Sequence, residues 1–331
     1  MSTIASFETI EDVRADFHRI VTPLEFERAA TVVEAYQKQF NPVYARYDTG
    51  RFVPVEVFRH ARIATFPPEH TAMIFRSSGT GGVGRRAEHH VRDLDVYARA
   101  TRAGFQHVYG RGSHLLLALV PAYATDSSLV WMLKNLIKEI GAPGSRMLTE
   151  ARTEILEAVR VASPDHPPVL FGAAFGLLDL VEEGRLPLPA GSVVIETGGM
   201  KTHRRAISRR DMHRTLADGF DLPLTAIHSE YGMCELMSQC YTKATGTSDV
   251  NEWFHAPPWV RLDVHRPDMP DTPCDEGEEG VLVVTDLANM YSLSFIRTQD
   301  RAIRRGPAVS ILGREPGAHL RGCNFLFDHD S

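Results

Sequence analysis

Apolar positions change their period along this chain, and the changes mark its elements. In TPLEFERAATVVEAYQKQFNP, Phe26, Ala29, Ala30, Val33, Tyr36 and Phe40 recur at helical spacing, which predicts an amphipathic helix. Thr22 stands as its N-cap, Pro23 at the first helical position, Glu25 where a capping box closes, and Asn41-Pro42 ends it. Downstream, β-rich runs alternate with helical patterns. TAMIF, LLLALVPA, PVLFG and SVVIETGG read as strands; DLDVYARATRAGFQHVY, SSLVWMLKNLIKEIG begun by Ser127 or Ser128, FGLLDLVEEG, and SRRDMHRTLADGF ended by Gly219 read as helices. This rhythm predicts an α/β protein with a largely parallel sheet and ligands at the loops after the strands. Past about residue 250 the texture shifts. WVRLDVHRP and GEEGVLVVTDL read as antiparallel strands joined by a turn-rich segment. No internal repeat, low-complexity tract or flexible linker interrupts the chain.

Composition narrows the class. At 331 residues with 43% hydrophobic content, the chain can bury a core without disulfide or metal staples. A net charge of −6 leaves no global basic surface, so no nucleic-acid partner is expected. The N-terminus carries early acids and no apolar core segment, and SHLLLALVPAYA and PPVLFGAAFGLLDLV are too short or too interrupted to span a bilayer. The expectation is a cytoplasmic protein with no membrane span. Cys234, Cys240, Cys274 and Cys323 include no C-x-x-C pair and no histidine at zinc-finger spacing, which supports neither a disulfide framework nor a structural zinc. Oligomeric state is not written in the sequence.

The segment TAMIFRSSGTGGVGRR, residues 71–86, satisfies G-x-G-x-x-G from Gly79 and nearly satisfies a Walker loop. Neither fingerprint fits its context. Gly84 leads into RRAEHHV, which reads as extended, whereas a dinucleotide turn opens a helix and places an acid about 20 residues on. Arg85 and Arg86 replace the Lys and Ser/Thr that a Walker loop requires. What the segment does offer is hydroxyls and exposed backbone N–H groups: Ser77, Ser78 and Thr80 interleaved with Gly79 and Gly81 suit a phosphate.

Three further segments follow: IETGGMKTHRRAIS from residue 195, HSEYGMCELMSQCY from 228, and FIRTQDRAI from 295 with ILGREPGAHLRGC after it. The order S-S-G-T-x-G, Y-G-x-x-E, [RT]-x-D and then G-R resembles the adenylate-forming enzymes, the superfamily of acyl-CoA synthetases and peptide-synthetase adenylation domains. NPVYARYDTG, VPVEVFRHARI, HHVRDLDVYARATRAGF, SSLVWMLKNLI, PVLFGAAFGLL and IETGGMKTHRRAISRRDMH extend the likeness over about residues 24–323. Together they resemble the acyl-protein synthetase of the bacterial luciferase fatty-acid reductase complex.

The resemblance implies an α/β adenylate-forming large domain of mostly parallel sheets flanked by helices, with a small antiparallel region. It implies a catalytic domain over 1–300, with an N-terminal helical segment at about 8–41, and a truncated C-terminal segment over 301–331 that carries the G-R motif and Cys323. The implied cofactors are ATP and Mg2+. Ser77, Ser78, Gly79, Thr80 and Gly81 would wrap the β- and γ-phosphates, with Arg85 or Arg86 adding charge or simply standing in solvent. Glu235 would hold magnesium and serve catalysis, a role that suits a hard cation bridging phosphate oxygens. Tyr231 and Gly232 belong to the same motif; Cys234 departs from the usual Thr there. Asp300 would accept the ribose hydroxyls and Arg314 would reach ribose or phosphate. Gly198 and Gly199 would pass close to adenine or form an ordinary turn. The superfamily's small mobile C-terminal domain and its lysine lie beyond Ser331, so Lys201, Arg297 and Arg301 are candidate replacements. Cys323 would accept the acyl group as a thioester, with Arg321 lowering its thiol pKa, or be a passive small hydrophobe.

The substrate expected is a carboxylic acid, fatty by the nearest family or aromatic by the wider superfamily, with an acyl-accepting reductase or carrier protein as possible partner. Phe171, Phe175, Leu177, Met200 and Met233 suggest an apolar pocket or plain core, and His203 to Arg205 would meet an acidic group or water. Two readings compete from other classes. One is a nucleotide-binding partner with degraded catalysis; the other, from G-x-G-x-x-G, is a nicotinamide-dependent oxidoreductase.

Overall fold

A computed structural model of the chain describes residues 7–77, 85–121, 124–163, 165–198, 207–242 and 252–315. Helices α1 (Ile10–Asp16), α2 (Pro23–Phe40) and α3 (Pro42–Ala45) come first, then strand β1 (Val53–Pro54) and the single turn α4 (Val57–His60). In α2 the predicted cap forms in full: Glu25 N donates to Thr22 Oγ1 (3.2 Å) and Thr22 N donates to the Glu25 carboxylate (3.0 Å). Its buried face carries Phe26, Ala29, Ala30 and Val33 with Tyr36 half-buried, whereas Phe40, the last of the predicted series, is exposed at the helix end. The same face buries Gln37, which donates Nε2 to Asn289 O (3.0 Å) and accepts from Ser294 N (3.0 Å).

Strands β2 (Met73–Arg76) and β3 (Glu88–Val91) pair as a separate antiparallel hairpin. The α/β core then runs α5 (Leu94–Tyr109), β4 (Leu115–Leu119), α6 (Ser128–Ile140), β5 (Arg146–Met147), α7 (Ala151–Val161), β6 (Pro168–Ala173), α8 (Ala174–Glu182), β7 (Val193–Thr197), α9 (Arg209–Phe220) and β8 (Ile227–Tyr231). Asp93 caps α5 and Ser127, the first of the two candidates, caps α6. The helix α9 does not end at Gly219. It continues to Phe220 and stops at Asp221 in the left-handed conformation (φ 57°). Gly219 is there for packing, because a Cβ would overlap the Val181 side chain of α8.

The rest of the chain is β9 (Cys240–Thr242), β10 (Phe254–His255), β11 (Val260–His265), β12 (Glu279–Asp286), β13 (Phe295–Arg305) and β14 (Ala308–Arg314). All but the β2–β3 hairpin join one twelve-stranded mixed sheet, in the order β11-β12-β13-β14-β10-β9-β8-β7-β6-β4-β5, with β1 on β13. From β5 to β8 the pairs are parallel; from β8 through β11 they are antiparallel. The expected fold class holds. The antiparallel region is larger than the sequence suggested, and it continues the parallel sheet directly.

Two apolar cores cover the faces of the parallel half. One takes Val96, Phe105, Leu116, Phe171 and Ile195; the other takes Leu117, Leu170, Leu177, Val194, Leu216 and Phe220. Alternate residues of β4, β6 and β7 feed opposite cores, which is why LLLAL and PVLFG read as unbroken apolar runs. Among the described residues no helix is long and apolar enough to cross a membrane.

Candidate active site

Past the Gly-rich segment the chain runs as strand β3, antiparallel to β2, and not as a helix. Ser77 N donates to Ala87 O (3.0 Å) and Ala87 N donates to Ser77 Oγ (2.9 Å), closing the hairpin base. Arg86 clamps the same base: Nε donates to Ser77 O (2.6 Å) and Nη1 meets Asp126 Oδ2 (2.9 Å). Arg86 is thereby committed to the hairpin, while Arg85 beside it is exposed. Ser78, Gly79, Thr80 and Gly81 lie outside the described residues.

From β3, His89 reaches the second motif. It is 1% exposed and donates Nδ1–H to Cys234 O (2.8 Å); burial pushes its pKa down to about 4 and keeps the ring neutral. The Tyr231–Glu235 turn is held from the other side by the end of β12. Asp286 accepts from Met237 N (2.9 Å) and Ser238 Oγ (2.8 Å), and Asn289 Nδ2 donates to Glu235 O (2.7 Å). Burial raises the Asp286 pKa to about 6 against those hydrogen bonds. Glu235 itself is fully buried at this turn.

The end of β8 meets the β13–β14 ladder. Tyr231 Oη donates to Asp300 Oδ2 (2.8 Å), and Arg314 Nε donates to Asp300 Oδ1 (3.2 Å). Asp300 and Arg314 are cross-strand partners, so the fourteen-residue spacing from D to R is the length of one hairpin. Burial and the Asp300 charge push the Tyr231 phenol well above its ordinary pKa, so it stays protonated and donates to that carboxylate. Each Asp300 oxygen keeps a second lone pair for a further donor. Phe254 packs against Tyr231 (5.9 Å between centroids), and Arg209 at the start of α9 lies over Phe254 (5.2 Å).

Neighbouring strands carry acids that sequence reading missed. Glu196 on β7 accepts from Ser229 Oγ on β8, with His213 Nε2 at 3.4 Å and Arg209 Nε at 3.8 Å. One residue further along each strand, Thr197 Oγ1 donates to Glu230 on the opposite face of the sheet. Burial, reinforced by the charge of Glu196, lifts the Glu230 carboxyl to about 7 although the Thr197 hydrogen bond opposes it. The sole sequence signal for these groups was a polar residue inside an apolar strand, as in VVIET and IHSEY.

Of the expected site residues, Tyr231, Asp300 and Arg314 meet at the end of β8, Gly232 and Glu235 follow in the next turn, and Ser77 and Arg85 stand on either side of residues 78–84. Gly198 follows β7 with φ 116°, a left-handed backbone that favours glycine. Gly199, Lys201, Met200, the His203–Arg205 cluster, Arg321 and Cys323 lie outside the described residues. Arg297 and Arg301 turn away from Asp300: Arg297 Nη2 donates to Pro267 O (3.2 Å) and Arg301 Nε pairs with Glu279 (2.6 Å) at the surface. The suggested apolar pocket does not form as a unit, because Phe171 enters one core while Leu177 and Phe175 enter the other. Among the described residues no three His, Cys, Asp or Glu gather as a metal cage. A single carboxylate, Glu235, fits magnesium of the kind completed by substrate phosphates and water. The described cysteines Cys234, Cys240 and Cys274 form no disulfide with one another.

Comparison of the sequence with family models and with characterised proteins returns no match. Solved structures do match in fold. ATP-bound MatB from Rhodopseudomonas palustris is similar at 20% identity and TM-score 0.55, over 73% of this chain and 47% of that one. A 2-hydroxyisobutyryl-CoA ligase in the postadenylation state is similar at 11% identity and TM-score 0.65, over 91% and 70%. The amide bond synthetase McbA from Marinactinospora thermotolerans is similar at 16% identity and TM-score 0.53, over 75% and 49%. The chain spans about half the length of the MatB structures it matches. These likenesses define the fold as that of the large domain of adenylate-forming enzymes.

Proposed function

We propose that this chain activates a carboxylic acid with ATP, forming an acyl-adenylate and releasing pyrophosphate. The observation that carries the reading is the Tyr231–Asp300–Arg314 cluster. Three residues assigned to one nucleotide by motif order alone meet within hydrogen-bond distance. In this reading Asp300 accepts the ribose hydroxyls while Tyr231 and Arg314 fix its carboxylate. Ser77 to Gly81 cradle the β- and γ-phosphates with Arg85 at their edge, and Gly198 and Gly199 let backbone approach the adenine. Glu235 holds magnesium, which when bound would offset phosphate charge. A carboxylate oxygen of the acid attacks the α-phosphorus in line; the new O–P bond replaces the bond to the departing pyrophosphate. Catalysis is then positioning and charge neutralisation. The extended β3 after the Gly-rich segment speaks against the nicotinamide reading, which needs a helix there.

Calorimetric titration with ATP and magnesium tests the nucleotide site. The expectation is saturable binding that weakens about tenfold or more in Asp300→Ala, the loss of charged or paired hydrogen bonds. Unchanged affinity in that variant sinks the assignment of Asp300.

The reading extends to acyl transfer onto a thiol, that of Cys323 or of a partner reductase or carrier. A hydroxylamine-labile acyl adduct should form on the wild type and vanish in Cys323→Ser. An undiminished adduct in the variant places the nucleophile elsewhere.

A further inference from the structure

At the end of β8 successive side chains leave on opposite faces. Tyr231 turns to Asp300 and Arg314. Glu230 turns the other way, toward α5, where it is 7% exposed and its known donor is Thr197. Directly across the β8–β9 ladder stands Tyr241, 1% exposed, whose hydroxyl finds no hydrogen-bond partner among the described residues. Gln239 completes the group. Its Nε2 donates to Tyr97 Oη (3.5 Å), which leaves Oε1 buried and equally without a partner among the described residues.

Gly232 shows how close these groups lie. A Cβ at that position would overlap Glu230 Oε1 and stand 3.4 Å from Gln239 Cγ, so the two side chains both flank a bare Cα. Aromatic rings wall the place: Tyr109 lies edge-on to Tyr241 (5.5 Å), and Phe105 does the same (6.3 Å). Buried tyrosine hydroxyls and amide oxygens are almost always paired, so these two beside a buried acid are open to a further member of their hydrogen-bond network. The inventory says what the member is. A carboxyl group that ionises and an amide oxygen accept, and the tyrosine hydroxyl can do either. A group that fits donates more than once, and a cation would also draw the Glu230 carboxyl into its charged form.

Resting on the adenylation reading, we propose that Glu230, Gln239 and Tyr241 form a subsite for an amino group on the acid substrate. The substrate class is then an amino-bearing carboxylic acid. A plain fatty acid would bury its chain against two acceptors and leave them unpaired. The backbone at residues 230 and 231 divides the site, with nucleotide groups on one face and the acid's amine on the other.

Matched pairs test this by calorimetry: phenylalanine against 3-phenylpropanoate, β-alanine against propanoate, 6-aminohexanoate against hexanoate. At least one amino member should bind about tenfold or more tighter than its deaminated partner, the worth of hydrogen bonds to a charged group. Glu230→Gln should narrow that ratio to about twofold, and Tyr241→Phe should narrow it less. ATP titration of the same variants, reading the opposite face of β8, verifies folding. Equal binding within all pairs, no binding at all, or a full preference surviving in Glu230→Gln overturns the subsite. Pyrophosphate exchange separates the two readings. Amine-dependent binding without exchange keeps the subsite and removes adenylation, whereas exchange supported by the deaminated acids alone does the reverse.

Discussion

Glu230 has a consequence for stability that does not depend on any ligand. Its pKa stands at about 7 in the folded chain against an ordinary 4.5, so between those values the folded state holds a proton that the unfolded state has released. Stability must then fall as pH rises through that window, by about 3 kcal/mol for a shift of this size. His89 acts oppositely. With a folded pKa of about 4 against 6.5, it makes stability rise with pH over 4 to 6.5. The wild-type profile therefore mixes the two. The difference between Glu230→Gln and wild type isolates the carboxyl: it should grow in favour of the variant from pH 4.5 to 7, measured by urea denaturation at each pH. A flat difference contradicts the buried, protonated Glu230. At this scale the sequence was legible where a residue had a motif around it. Asp300, Arg314 and Tyr231 could be named because their neighbours repeated a known order. Glu230, Glu196 and His213 could not, since their burial depends on β7, β8 and α9 meeting in space, and no spacing records that.

At the scale of elements, β2 and β3 place antiparallel strands on either side of the Gly-rich segment, where a dinucleotide turn would open a helix. RRAEHHV was legible as extended, and its last four residues, EHHV, form a strand antiparallel to MIFR. What the sequence left open was the division of labour between the two arginines. Arg86 holds Ser77 O and Asp126; Arg85 holds neither. Arg86→Ala should cost about 1 kcal/mol, small because the pair is partly exposed, while Arg85→Ala should stay within about 0.5 kcal/mol. Equal losses in denaturant midpoint would contradict this division. Helix α2 was the most legible element, because cap, period and stop agreed before any tertiary contact was known. The end of α9 was the least. A glycine near a helix end reads as a C-cap, but here close packing against Val181 required it inside the last turn.

For the whole molecule, alternation of strands and helices was enough to name an α/β fold, and the motif order pointed to the particular α/β fold that the matching solved structures share. The extent of the antiparallel half was not legible. β9, β10 and β14 are short or polar, and they become strands by extending a sheet edge that β8 provides. That extension carries Asp300 and Arg314 to Tyr231, the last residue of a parallel strand. Acid-dependent exchange of labelled pyrophosphate into ATP tests that account most directly. The prediction is exchange with at least one carboxylic acid, lost about a hundredfold or more in Glu235→Ala. No exchange across fatty, aromatic and amino acids, with Glu235→Ala indistinguishable from wild type, would contradict it.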